Sequence, residues 1–264
     1  MTNPRMPALF LGHGTPMNAI TDGPERRSWQ RLGQVLPRPK ALLVISAHWE
    51  TSGAVHLTDG TAPRTIHDFI GFPDELFAVQ YPAPGSPKLV GRVVGLLGDD
   101  HVRRDESWGF DHGSWGVVRP MYPDADLPMI QLSLNRSLTP EQHLVIAAKL
   151  APLRDEGVLL IASGNVVHNL GEYGSTRGTQ PDWAVEFQAR ITRAVETADH
   201  AALTTFAADD QAAALAINSA EHYLPLLYAV GVRLPGDAVG VFNDSIDGAI
   251  SMTSYLIGDA RLLD

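Results

Sequence analysis

The chain has 264 residues, 44% of them hydrophobic, with a formal net charge of -10 and no cysteine. That acidity argues against a nucleic-acid partner, which needs a basic stripe. The lack of thiols excludes disulfides, thiolate zinc sites, iron–sulfur clusters and a cysteine nucleophile, so any metal must rest on His, Asp, Glu or backbone oxygen.

In chain order, Ala8–Leu11 and Ala41–Ser46 come first as short, nearly continuous apolar runs, the pattern of strands covered on both faces. From Thr51 to Pro87 the chain is rich in Gly, Pro, Asp and Thr, and Pro73, Pro82, Pro84 and Pro87 forbid long regular elements. This stretch reads as a long surface excursion able to serve as a lid. Ser86–Leu97 has helical spacing, Met129–Ser133 is a third strand, and Pro140–Leu153 is a helix with Thr139 as its N-cap. Val158–Ala162 is a fourth strand, followed by Ala-rich amphipathic helices over Asp182–Asp199 and Ala201–Ala216. Pro225–Val230 opens a further helix, and Ala238–Phe242 is a last strand. Strands alternating with helices predict an α/β fold, one catalytic domain over residues 1–264 with a mostly parallel central sheet flanked by helices. The apolar run Pro7–Gly12 is too short for a signal peptide, and no stretch approaches membrane-spanning length. The expectation is a cytoplasmic protein with no membrane partner.

The ten histidines carry the chemistry. His13, in Gly12-His13-Gly14, follows the first predicted strand, and His48, in Ser46-Ala47-His48-Trp49, follows the second. His168 follows the fourth through the turn-like Ser163-Gly164-Asn165. In an open parallel sheet, functional groups gather at the carboxyl ends of strands, so these three converge although far apart in sequence. His222, just before the Pro225 helix, can close the site from above. A lone histidine after a strand is more often a hydrogen-bonding residue than a ligand; three in equivalent places favour a metal. His112 sits among Trp108, Gly109, Gly113, Trp115 and Gly116, a composition suiting a pocket wall or a rigid turn alike. His56, His101, His143 and His200 read mainly as surface residues, and His67 beside Asp68 is a weaker candidate for facing the site. No dinucleotide fingerprint, phosphate loop, Gly-x-Ser-x-Gly elbow or His-Glu-x-x-His helix is present.

Six segments recur in a familiar order. They are Gly12-His13-Gly14-Thr15-Pro16-Met17, Ser46-Ala47-His48-Trp49-Glu50, Tyr81-Pro82-Ala83-Pro84-Gly85, Trp108-Gly109-Phe110-Asp111-His112-Gly113-Ser114-Trp115, Gly164-Asn165-Val166-Val167-His168-Asn169 and Glu221-His222-Tyr223-Leu224-Pro225. Together they resemble the class III extradiol ring-cleavage dioxygenases, and within them the 4,5-DOPA extradiol dioxygenase branch.

The resemblance implies one non-haem ferrous ion, Fe(II), with His13 and His48 as ligands and His222 or its neighbour Glu221 as the third. Three neutral imidazoles also suit zinc, Zn(II), in the isolated protein. His168 is implied as the base that takes a proton from a bound catechol, or as a fourth ligand at rest, and His112 as a second proton-handling group. The implied reaction inserts both atoms of O2 beside the diol of a catechol, giving a ring-opened semialdehyde acid. Trp49, Trp108, Phe110 and Trp115 are candidates for an apolar wall, with core packing expected of at least two. Arg119, Asn165 and Tyr223 are candidates for holding the substrate's carboxylate or side chain. Two rival readings stand beside this one: a zinc-dependent hydrolase on the same histidine cage, and a non-catalytic metal-binding relative.

Overall fold

The computed structural model describes residues 5–205 and 210–263. Ten strands are present: β1 (Ala8–Gly12), β2 (Ala41–Thr51), β3 (Val55–Thr58), β4 (Val102–Asp105), β5 (Met129–Asn135), β6 (Val158–Gly164), β7 (Ala238–Phe242), β8 (Ile246–Asp247), β9 (Ile250–Ser251) and β10 (Ser254–Gly258). The helices before β6 are α1 (Pro24–Val35), α2 (Asp74–Phe77), α3 (Pro87–Leu97), α4 (His112–Met121), α5 (Pro140–Lys149) and α6 (Pro152–Asp155). After β6 come α7 (Leu170–Thr176), α8 (Asp182–Thr197), α9 (His200–Thr204), α10 (Gln211–Ala216) and α11 (Leu224–Gly231).

Eight strands form one sheet in the order β4-β3-β5-β2-β6-β1-β10-β7. The four central strands, β5, β2, β6 and β1, run parallel, whereas β10 and β7 add an antiparallel edge beside β1. Successive side chains on a strand face opposite ways. Ala8 and Phe10 therefore join the core under α3, α5, α8 and α11, while Leu9 and Leu11 join the core under α1 and α4. Both faces of the central strands are covered, which is why they read as unbroken apolar runs.

The predicted α/β architecture is present, with local corrections. Ala238–Phe242 is a strand, but an edge one left partly open to solvent rather than buried on both faces. The 51–87 excursion contains β3, paired to β4 and β5, and the short α2, with irregular chain between them and again from 78 to 86. The expected Pro140–Leu153 helix stops at Lys149 and restarts at Pro152, whose ring cannot continue the preceding turn. Its Thr139 cap is present, forming a capping box with Gln142. Of the expected 201–216 helix, α9 and α10 occupy the two ends, and residues 206–209 lie outside those described. Helices α1, α4 and α7 and strands β4 and β10 lie in segments where the sequence pattern predicts no element.

His143, expected at the surface, is completely buried, with its Nδ1 3.0 Å from the Tyr228 hydroxyl. Burial pushes its pKa down to about 4, against 6.5 for an ordinary histidine. In the pH window between those values the unfolded chain binds a proton that the fold refuses, so stability must fall as pH drops through it. Metal-free protein is therefore expected to lose about 2 kcal/mol between pH 7.5 and pH 5 from His143 alone. Urea midpoints at the two pH values check this: His143→Gln should flatten the slope, and equal midpoints would contradict it.

Candidate metal centre and substrate cavity

The carboxyl ends of β1, β2 and β6 meet at one edge of the sheet, and the histidines gather there. His13 follows Gly12 directly, and its backbone N–H donates to the Gly164 carbonyl of the neighbouring β6 at 3.0 Å. His48 is not beyond β2, as the apolar run implied, but inside it. The pairing with β5 breaks register between Ile45 and Glu50, and the extended chain continues to Thr51. Such an irregularity re-aims side chains at the end of a ladder. His222 lies in the turn before α11, held by the Asn165 N–H donating to its carbonyl at 2.8 Å. The approach is so close that a Cβ on Gly164 would collide with that carbonyl, and one on Gly12 would meet the backbone of Met252. Both glycines are required by the site's packing rather than by a turn.

Ring nitrogens of His13, His48 and His222 all lie within 4.8 Å of one another. The Nε2 atoms of His13 and His48 face each other at 3.3 Å. Each of the three rings has an oxygen near its Nδ1, hydrogen-bonded for His13 and His222 and a charge contact for His48. Nδ1 of His13 is 2.9 Å from the Ser163 hydroxyl, Nδ1 of His222 is 3.3 Å from Asn165 Oδ1, and Nδ1 of His48 is 3.4 Å from Asp68 Oδ2. These partners favour protons on Nδ1 and leave lone pairs on Nε2, the tautomer a metal needs. Burial, reinforced by the neighbouring histidines, holds His13 and His222 well below the ordinary histidine pKa. Burial first, then His112, lowers His48 to about 3. Three neutral, tethered, inward-facing imidazoles are a donor set that fits a divalent ion.

His168 and His112 flank this set. His168 stacks flat on His222, with ring centroids 3.5 Å apart and an interplanar angle of 6°. Burial lowers its pKa to about 4, partly opposed by Glu221, so it is a neutral acceptor at neutral pH. Glu221 lies within 4.8 Å of His168 and His222, and its Oε1 accepts from the Ser219 hydroxyl at 2.8 Å. Of the two adjacent candidates, His222 lines the cavity and Glu221 does not.

His112 opens α4, whose N-cap Asp111 accepts from the Ser114 N–H at 3.0 Å. Its ring lies 3.9 Å from that of His48, centroid to centroid. Asp68, on the irregular part of the 51–87 stretch, joins them. Its Oδ1 accepts from the His112 backbone N–H at 2.9 Å, and its Oδ2 lies 3.0 Å from His112 Nδ1, close but poorly aligned for a hydrogen bond. Burial disfavours the Asp68 carboxylate, yet His112 and His48 outweigh it and hold its pKa below the ordinary value. Asp68→Asn is expected to weaken metal binding ten- to hundred-fold, the usual loss when an outer hydrogen-bond partner goes. Competition with a calibrated chelator measures it, and unchanged affinity would remove Asp68 from this role.

The five histidines form one end of a cavity of about 930 Å³. Its apolar side is made by Phe69, Phe72, Leu170, Ile246, Ile250 and Met252. The residues expected to bind substrate are elsewhere. Trp115 is fully buried, with its indole N–H donating to the Ile66 carbonyl at 2.8 Å. Trp49 stacks on Trp108 with ring centroids 5.3 Å apart. Tyr223 is buried, its hydroxyl donating to the Leu203 carbonyl at 3.0 Å. Asn165 acts behind His222, and Arg119 donates to the Ala19 carbonyl at 2.9 Å. None of these six lines the cavity, nor does the fully buried Phe110. Their large aromatic surface is spent on the core, as is usual for such residues. Besides the histidines, the lining comes from residues 14–18 and 24–25, from Phe69 and Phe72 of the 51–87 stretch, and from α7 and the β8–β9 hairpin with Met252 after it.

Residues 7–243 match the family described as the catalytic LigB subunit of aromatic ring-opening dioxygenase. The 4,5-DOPA dioxygenase extradiol of Escherichia coli K12 is 47% identical over 98% of this chain and 97% of its own. The enzyme of the same description from Beta vulgaris is 38% identical, over 94% of both chains. A crystal structure of an uncharacterized protein from Escherichia coli K12 superposes with a TM-score of 0.80 and 43% identity, covering 96% of this chain and all of that one. The chain belongs to the family of the catalytic LigB subunit of aromatic ring-opening dioxygenases, metal-dependent oxidoreductases by membership.

Proposed function

We propose that this single catalytic domain opens the ring of a catechol beside its diol, in the cytoplasm, with ferrous iron held by His13, His48 and His222. The observation that carries the proposal is the convergence of those three neutral imidazoles at the closed end of a cavity, with two further histidines beside them. A ferrous ion bound there supplies chelation of the diol and activation of dioxygen.

The chain's own residues do the rest. His168, neutral and at the cavity wall, accepts a proton from a catechol hydroxyl as the diol docks. His112, next to Asp68, is the second proton-handling group, placed to donate when the ring opens. Phe69, Phe72 and Ile250 exclude water and offer apolar faces to the aromatic ring. Ser163, Asn165 and Asp68 keep the three ligand rings in one tautomer throughout.

The same donor set favours a second reading, a zinc hydrolase, because three neutral imidazoles are a common zinc site. The two separate cleanly. Metal-free protein is loaded anaerobically with ferrous iron or with zinc, given DOPA, caffeate and protocatechuate in turn, and then exposed to air. The proposal expects a coloured ring-opened product with iron alone. Ring opening with zinc in place of iron would contradict the ferrous assignment, and zinc-dependent cleavage of a simple ester such as 4-nitrophenyl acetate without oxygen would favour the hydrolase.

A further inference from the structure

Ring opening at the histidine end leaves most of the 930 Å³ cavity for whatever else the substrate carries. One wall of that remainder is α7. Leu170, Tyr173 and Arg177 all line the cavity, and their spacing of three and four residues puts them on one face of a helical turn sequence. His168 lies at the start of this wall and Arg177 at its end. The seven residues of α7 separate them by about 10 Å of helix, at roughly 1.5 Å per residue.

Arg177 is the sole Lys or Arg lining the cavity among the described residues, and it has no ion pair there. Its backbone is fixed, with the Arg177 N–H donating to the Tyr173 carbonyl at 2.9 Å. Asp247, the acid at the end of β8 in the facing hairpin, already accepts two hydrogen bonds. Its Oδ2 accepts from the Tyr173 hydroxyl at 2.8 Å and its Oδ1 from the Gly178 N–H at 2.6 Å. Those two bonds also tie α7 to the β8–β9 hairpin, so the wall carrying Arg177 is braced. Glu25 is the other acid lining the cavity. Arg177 is exposed and lines the cavity, so its guanidinium can turn to an anionic group on a ligand held there.

Resting on the catechol reading above, we propose that Arg177 is a specificity-determining residue that binds a carboxylate on the substrate's side chain, remote from the diol. What the contact adds is a residue at the end of α7, far from the histidines in the cavity, that decides how tightly an acid-ended side chain is held. A guanidinium takes a carboxylate in a two-pronged geometry that an amide cannot match.

The test compares 3-(3,4-dihydroxyphenyl)propionate with its primary amide on iron-loaded wild type, Arg177→Gln and Arg177→Lys. Anaerobic calorimetric titration gives binding, and oxygen uptake gives KM and kcat. Wild type is expected to prefer the acid by about ten-fold or more, the value of one charge-assisted pair. Arg177→Gln should collapse the acid-to-amide ratio toward one by raising KM for the acid, and Arg177→Lys should restore part of it. An unchanged ratio in Arg177→Gln overturns the proposal, as does equal weakening of acid and amide, the signature of a packing role. Ring opening with equal KM for both compounds in wild type defeats the carboxylate site alone. Arg177-dependent preference in binding without any ring opening defeats the catechol reaction alone.

Discussion

His222→Ala is expected to lose the metal, whereas Glu221→Ala keeps it. His222 is buried, lines the cavity and has its Nδ1 tethered to Asn165, so its removal leaves two imidazoles where three converged. Affinity should fall by more than the roughly 100-fold that marks loss of an outer partner. Turnover should fall by on the order of 10³ or more, since the chemistry supplied by the ion is worth several kcal/mol. Glu221 is half-buried, bonded to Ser219 and outside the cavity lining, and its role is to sit beside His168. Metal content after dialysis reads both variants. Retention by His222→Ala together with loss by Glu221→Ala would exchange the two assignments.

The second large effect separates the base from the ligands. His168→Ala is expected to retain metal yet lose turnover by about 10² to 10⁴, the range that one positioned proton-transfer group supplies. His168 has the geometry for this division. It stacks on His222 and belongs with Glu221 and His222 rather than to the His13–His48–His222 group. Its pKa near 4 keeps it neutral and able to accept a proton over the whole neutral range. His48→Ala is the matching control and should lose metal. Equal metal loss in the two variants would make His168 a fourth ligand at rest.

What the amino-acid sequence made legible follows the physics of each element. The central strands are covered on both faces, so β1, β2, β5 and β6 stand out as apolar runs, and histidines at their ends could be read as converging. Strand β10 is a five-residue strand set antiparallel between β1 and β7 after short polar turns, and β3 hides within a Gly- and Pro-rich stretch; neither has a signal beyond a few residues. The histidine constellation was visible because its members sit near conspicuous strands. The cavity's outer wall was not, because Arg177 and Ile250 belong to segments about seventy residues apart, joined by Asp247 and by backbone bonds such as Gly248 N–H to the Thr179 carbonyl and Asn169 N–H to the Ala249 carbonyl. Aromatic residues misled for a related reason. Trp115 and Tyr223 flank catalytic motifs in the chain, but a large side chain next to a site is more often its support than its surface.

Oxygen consumption against catechol loss tests the central claim most directly. With the iron-loaded protein in a closed oxygen-electrode cell, one O2 should disappear for each catechol opened, without release of hydrogen peroxide, and the metal-free protein should consume none. Failure of the iron-loaded protein to take up oxygen with any catechol, or uptake that ends in peroxide and quinone, would contradict it.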